Sequence, residues 1–352
     1  MEVASNAGMK VLVIGGSGFI GPSVIRELQR NGHKAAVFHR GGHINQTPSD
    51  VEHILGDRRH ISEYVPAFRQ FAPEVVIDII LSSGRQAREL MDAMRGIARR
   101  VVAISSGDVY RAFSIVNRND EGPLQPVPLT EDSERRRQPA YPPERMKMLQ
   151  EVFGWMDDEY DKIPVEDTTL SDRELEGTVL RLPMVYGAGD PLHRFFSYVK
   201  RIDDRRPRMI LTEDLAAWRS PRGYVENVAA AIVAAATSPK AVGRAYNVAE
   251  QPAFSELEWA NKIASQAGWR GEFVVVSREQ APKHLQLPGN FAQHGEMSSR
   301  RIREELGFAD PVPLDEAIRR TITWERANPP AKVDPAQFDY AAEDQAFSPS
   351  LN

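Results

Sequence analysis

At 352 residues with 41% hydrophobic side chains, the chain can bury a full α/β core with a smaller lobe beside it. Its formal charge of −5 leaves no basic surplus to draw it to nucleic acid or an anionic membrane. With no cysteine, disulfides, thiolate metal sites and a cysteine nucleophile are excluded, and a reducing compartment fits.

The start, Met1 to Gly8, lacks the basic-then-apolar pattern of a secretion signal, and no apolar stretch approaches the ~20 residues that span a bilayer. A cytoplasmic location with no membrane partner is expected. Lys10 to Ile14 is a short apolar strand feeding Gly15-Gly16-Ser17-Gly18-Phe19-Ile20-Gly21, which opens a helix from Pro22 to Gln29. Such a turn holds a dinucleotide pyrophosphate. Gly15 permits the tight turn, Gly18 lets the backbone approach the phosphates, Gly21 allows close helix-strand packing, and the helix start offers free N–H groups.

Further strands read Ala35–His39, Val51–Leu55, Glu74–Ile80, Arg100–Ser106 and Gly177–Leu182, several of them near-continuous apolar runs. Strands of that kind are covered by helices on both faces. The fold class is therefore α/β, a doubly wound parallel Rossmann sheet with a smaller C-terminal α/β substrate lobe and ligands at the carboxyl ends of the strands. The helix Gln86–Ala98 reads either as cover for the sheet or as one half of a homodimer interface. Arg111 to Pro143 reads as an irregular excursion over the cleft, with Arg135-Arg136-Arg137 a solvated face or an anion clamp. Residues 9–185 form the dinucleotide-binding domain, with 223–250 returning to it. The lobe takes 186–222 and 251–328, and 329–352 is a mobile or surface-wrapping tail.

Five segments then carry a resemblance: Gly-Gly-Ser-Gly-Phe-Ile-Gly at 15–21, Ile-Ser-Ser-Gly-Asp-Val-Tyr at 104–110, Leu-Arg-Leu-Pro-Met-Val-Tyr-Gly at 180–187, Gly-Tyr-Val-Glu-Asn-Val-Ala at 223–229 and Tyr-Asn-Val-Ala at 246–249. In this order they resemble the extended short-chain dehydrogenases/reductases, the epimerase/dehydratase family. The resemblance runs from about Lys10 to Asn328. It implies a cofactor site containing Gly15, Gly18, Phe19, Ile20, Gly21, Ser82, Lys162 and Pro183, with Asp57 and Arg58 at the adenine. Members that prefer NAD carry a carboxylate at the end of the second strand. This chain has His39 and Arg40 there, and a guanidinium suits a 2′-phosphate, so NADP is expected and NAD is the second choice.

The resemblance also implies a Ser, Tyr, Lys set in which Ser106 orients the substrate oxygen and Lys162 supports both the tyrosine and the nicotinamide ribose. The tyrosine breaks the pattern: one helical turn before Lys162 stands Asp158. Three readings remain, in order. Tyr160 reaches the cleft from a non-helical entry segment, Tyr141 serves with Arg145, or Asp158 replaces the phenol. Where nucleotide-sugar members carry an asparagine that touches the diphosphate, Met184 stands, which lowers the expectation of such a substrate; His193, Arg219 and Arg222 remain as anion ligands. Met184, Phe195, Phe196 and Trp218 read as an apolar lining or as core. Asp157-Asp158-Glu159 reads as a solvated cluster, and no metal site is expected.

The functional expectation is an NAD(P)-dependent oxidoreductase or epimerase/dehydratase acting at a hydroxyl or carbonyl of a small polar or sugar-like molecule, with no nucleic acid partner. The alternative is a catalytically impaired NAD(P)-binding sensor or RNA-associated protein of the same fold.

Overall fold

The computed structural model describes residues 8–42, 47–48 and 50–347. In the amino-terminal half β1 (Lys10–Ile14), α1 (Gly21–Arg30), β2 (Lys34–His39), β3 (Glu52–Leu55), α2 (Val65–Phe71), β4 (Val75–Asp78), α3 (Gly84–Met94) and β5 (Arg100–Ser106) alternate. β1 shows why this half becomes a sandwich of helices around a sheet. Val11 and Val13 join a core with Val24 and Ile25 of α1, whereas Leu12 and Ile14 join Phe68 of α2 and Leu90 of α3 on the other face. Each of these fully buried aliphatic side chains contributes about 1.5–3 kcal/mol.

β4 stops two residues short of the expected strand end. The Asp78 carboxylate turns back to accept the Ile80 N–H at 3.0 Å, which takes that group out of the ladder. The excursion is also more ordered than its composition suggests, since it begins with α4 (Arg111–Val116) and runs into α5 (Pro143–Val152). It is followed by α6 (Lys162–Ser171), β6 (Glu176–Leu182) and β7 (Met184–Tyr186). Then come α7 (Phe196–Asp203), β8 (Arg208–Thr212), α8 (Glu213–Ala217), β9 (Arg222–Tyr224), α9 (Val225–Thr237) and β10 (Arg244–Asn247). The chain finishes with α10 (Glu256–Gln266), β11 (Glu272–Val276), α11 (Arg300–Leu306), α12 (Leu314–Ala327) and α13 (Tyr340–Ala346).

The main sheet has seven strands in the order β10-β6-β5-β4-β1-β2-β3, all parallel. The order reverses between β1 and β4, so that is the switch point, where the strand ends leave a crevice for a ligand. α3 and α6 pack together on one face and α1 and α9 on the other. Beside the sheet stand two small parallel pairs, β7 with β9 and β8 with β11. α11, assigned to the lobe from sequence, packs on α9 and β10, and its Ile302 enters the sheet core. The tail is tied down through residue 347 at least: Glu343 of α13 is fully buried and takes the Arg201 guanidinium at 2.6 Å and His284 Nε2 at 3.1 Å. No helix among the described residues is long and apolar enough to cross a membrane.

Candidate functional site

The turn after β1 is built so that backbone, not side chains, faces outward. Gly15 has φ +80°, and a Cβ there would lie 2.6 Å from the Ile80 side chain across the switch point. At Gly21 a Cβ would lie 2.2 Å from the Gly16 carbonyl oxygen, so no other residue lets α1 start this close to the turn. Gly18, by contrast, would meet only the Gly15 carbonyl, at 3.7 Å, which leaves its outer side open. The α1 start has no side-chain cap and no acidic residue in its first turn. Pro22 has no N–H, and the Ser23 and Val24 N–H groups fold back on the Ile20 carbonyl, so the helix dipole and the N–H groups of the turn before it face an anion, and this cradle fits a dinucleotide pyrophosphate. Phe19 and Ile20 are half-buried and pack on the core at the mouth of the turn.

The ends of β2 and β3 differ from expectation. His39 is buried, accepts the Gly41 N–H at its Nδ1 (3.2 Å), and so presents its Nε2 proton to His53 Nδ1 at 2.8 Å. Burial, then His53, hold it below the usual histidine range, so it brings no charge to a 2′-phosphate. Arg40 is exposed and has no ion-pair partner among the described residues. Asp57 caps the Arg59 N–H at 2.9 Å and grips the Arg59 guanidinium, which holds its carboxyl at about 2. Its side chain is therefore engaged locally. Arg58 turns inward and pairs with the fully buried Asp78, yet its Nε and Nη1 are buried without a hydrogen-bond partner. Unmatched guanidinium donors beside the switch point suit a ligand acceptor.

At the ends of β4 and β5 a polar cluster gathers. Ser106 accepts the Asp108 N–H at 3.2 Å, capping the turn that follows β5. Lys162, 3% exposed, donates to the carbonyls of Leu81 and of Ile104 (3.0 Å), pinning the two strand ends together. Its ammonium lies 5.1 Å from the Trp155 ring centre and 5.7 Å from that of Tyr160. Burial, against the charges of Asp108 and Asp78, lowers its pKa to about 8. Tyr160 precedes α6 on non-helical backbone and donates to Asp108 Oδ2 at 2.7 Å. Burial, then Asp108, push its phenol well above the ordinary tyrosine range. Tyr141 is raised by the same two causes, so both tyrosines face Asp108. Asp158 is exposed.

Other readings of this region need correction. Ser82 is buried with its hydroxyl on the Asp157 carboxylate at 3.1 Å, and Ser83 follows at 2.8 Å, so Asp157 is a latch and not a solvated charge. Arg136 is likewise no solvated residue; it donates to the Asp108 carbonyl at 2.9 Å and to Asp161 at 2.6 Å. No role was assigned from sequence to Asp108 or Trp155. The one visible signal was an acidic residue set between the Ser105-Ser106 pair and Tyr110.

The substrate candidates have partners of their own. Arg222, in register with Met184 across the β7–β9 pair, binds Glu256 and lies over Trp259, while Tyr198 also donates to Glu256 at 2.7 Å. Arg219 reaches the Ala253 carbonyl at 2.6 Å and Glu258 at 3.2 Å. His193 stacks on Trp324 and lies 2.8 Å from Glu325, toward α12 and not α10. Phe195 is core, stacked on Tyr186, and Trp218 is tied to the Gln293 carbonyl at 2.9 Å. Pro183 directly follows β6 and packs where a Gly223 Cβ would stand.

A family model described as the NAD dependent epimerase/dehydratase family matches residues 11–131 and 159–249. The 2′-dehydrokanamycin reductase of Streptomyces kanamyceticus is 30% identical over 187 residues, 52% of this chain and 45% of that protein. The chloroplast stem-loop binding protein of 41 kDa b of Arabidopsis thaliana is 27% identical over 141 residues, 36% of each. The chain thus spans less than half the length of these curated relatives. Among solved structures, the UDP-glucose 4-epimerase of Thermus thermophilus, a complex with NAD, superposes with a TM-score of 0.59 at 21% identity, covering 91% of this chain and 100% of that one.

Proposed function

The chain belongs to the NAD-dependent epimerase/dehydratase family, and from that premise we propose that it is an NADP-dependent oxidoreductase or epimerase acting at a hydroxyl or carbonyl of a small, sugar-like molecule. The observation that carries this reading is a convergence on one sheet edge. The open glycine turn and uncapped α1 lie at the switch point, and Ser106, Tyr160 and Lys162 gather around the neighbouring ends of β4 and β5. A bound nicotinamide supplies or accepts hydride there. The Ser106 hydroxyl orients the substrate oxygen, the Tyr160 phenol exchanges its proton, and Lys162 fixes the strand ends beneath them while lending positive charge.

Arg40, exposed beside a neutral His39 and with no carboxylate at that strand end, supports NADP over NAD. For the substrate, Met184 cannot donate to a phosphate, and Arg219, Arg222 and His193 are each matched by a carboxylate. That supports an uncharged or amino-bearing sugar-like molecule in preference to a nucleoside diphosphate sugar, in line with the name of the Streptomyces relative. The name of the Arabidopsis relative keeps a second reading, in which the fold binds the nucleotide without turnover or associates with RNA.

Titration with NADPH and NADH, followed by hydride exchange from NADPH to a panel of keto sugars and keto amino sugars, tests both. Micromolar NADPH affinity with turnover of at least one carbonyl is expected. Affinity for neither nucleotide overturns the proposal, and NADPH affinity without turnover, joined to RNA binding, favours the second reading.

A further inference from the structure

The turn after β5 holds a carboxyl that the chemistry above does not use. Asp108 is 5% exposed, and while its Oδ2 receives the Tyr160 hydroxyl at 2.7 Å, its Oδ1 is buried with no hydrogen-bond partner among the described residues. The groups that face it come from three elements: Arg136 and Tyr141 of the excursion, Tyr160 and Asp161 of the approach to α6, and Lys162 on α6 itself. None of the cations neutralises it directly. Arg136 donates to the Asp108 backbone carbonyl, to the Gln138 carbonyl at 2.9 Å and to Asp161, and Lys162 donates to the two strand-end carbonyls. A carboxylate left with an empty, dry oxygen is costly, whereas a carboxylic acid is not. Burial, against Arg136, Tyr160 and Lys162, pushes Asp108 in that direction.

Resting on the reading of the site given above, we propose that Asp108 is held as the carboxylic acid beside the Tyr160 phenol, and that its proton is the reservoir from which the phenol is resupplied. In the reducing direction the substrate C=O π bond breaks as its carbon receives hydride from reduced nicotinamide, and its oxygen takes the Tyr160 proton. The O–H bond of Asp108 then breaks to restore the phenol, leaving a carboxylate that solvent reprotonates. In the oxidising direction the substrate O–H bond breaks to the Tyr160 oxygen while the phenol proton passes to the Asp108 carboxylate, and the substrate carbon gives its hydride to oxidised nicotinamide. Asp108 acts through Tyr160 and is a positioning and proton-holding residue. This assignment also accounts for the irregular tyrosine spacing, since the phenol is placed by a carboxyl on the β5 turn and needs no position one helical turn before Lys162.

The full chain without cofactor, carrying tyrosine labelled with 13C at the ring carbon that bears the hydroxyl, tests this by NMR, with the Tyr160 signal assigned by Y160F. Its resonance is expected to show a step, separate from the phenol's own titration, as Asp108 titrates, and K162M should keep that step. D108N should abolish that step and move the phenol titration down by at least a unit, a tenfold change in its ionisation constant. D108E should restore the step. In turnover with NADPH, D108N should lower kcat at least tenfold and flatten its pH profile while leaving NADPH affinity unchanged. A Tyr160 signal in K162M with no step apart from the phenol's own titration, and the same phenol titration in D108N and wild type, overturns the proposal, even if D108N is less stable. Loss of NADPH binding or of all turnover in the wild type would strike the function proposed above, whereas the NMR coupling decides the Asp108 proton reservoir independently.

Discussion

The turn after β1 and the cluster after β5 lie on the same sheet edge but are specified in different ways. The first is a backbone device: three glycines at fixed spacing, an unobstructed helix start and no charged side chain. The second depends on side chains from β5, the excursion and the approach to α6, and the family match lapses between residues 131 and 159, the stretch that supplies Arg136, Tyr141 and Trp155. The glycine turn thus lies within the family match, as do Ser106, Asp108, Tyr160 and Lys162, while Arg136, Tyr141 and Trp155 come to the cluster from the stretch between the matched segments. Binding through backbone N–H groups tolerates little variation, and proton transfer through side chains can be rebuilt from several directions.

The contrast can be broken most severely at Gly21. With a Cβ set against the Gly16 backbone, Gly21→Val should destabilise the fold by ~3 kcal/mol or more and abolish NADPH binding, read by thermal melting and fluorescence titration. A folded variant that keeps its NADPH affinity would remove the turn from the phosphate site. Of similar size is Arg58→Met, which strands Asp78 in the interior and should cost about 3–5 kcal/mol in denaturant unfolding.

In the cluster the test is pH. Lys162 titrates at about 8 when folded and 10.5 when unfolded, so between those values the unfolded chain holds a proton that the folded chain has released, and stability rises with pH. The gain should approach ~3 kcal/mol at most, and Lys162→Met should remove it when the two proteins are compared by urea unfolding at pH 8 and 10. A parallel slope in the variant would mean that the ammonium is not held in a dry site. The smallest effect is expected at Arg40. Arg40→Asp should turn the NADPH-to-NADH affinity ratio by tenfold or more, ~1.4 kcal/mol, without altering the melting temperature.

The periodicities of the first half were legible because the inner strands β1, β4 and β5 are apolar on both sides and Gly15 and Gly21 in the turn have a steric task. Tyr160 was legible only as a tyrosine out of register, because its role depends on Asp108, 52 residues earlier in the chain. Arg136 and Asp157 looked like surface charges because composition does not reveal that the excursion, and the approach to α6 after it, fold back over the sheet edge. His39 was placed at the cofactor by its position after β2, and its pairing with His53, 14 residues away, was not visible from sequence.

What the sequence alone determined was the doubly wound sheet, its switch point and the family, since these rest on short-range patterns of apolar residues and glycine. The pairing of the charged residues was decided by the tertiary structure. Arg58 with Asp78, Arg222 with Glu256 and Tyr160 with Asp108 are partners that meet across elements far apart in the chain, and a buried charge or hydroxyl takes its role from the group that satisfies it.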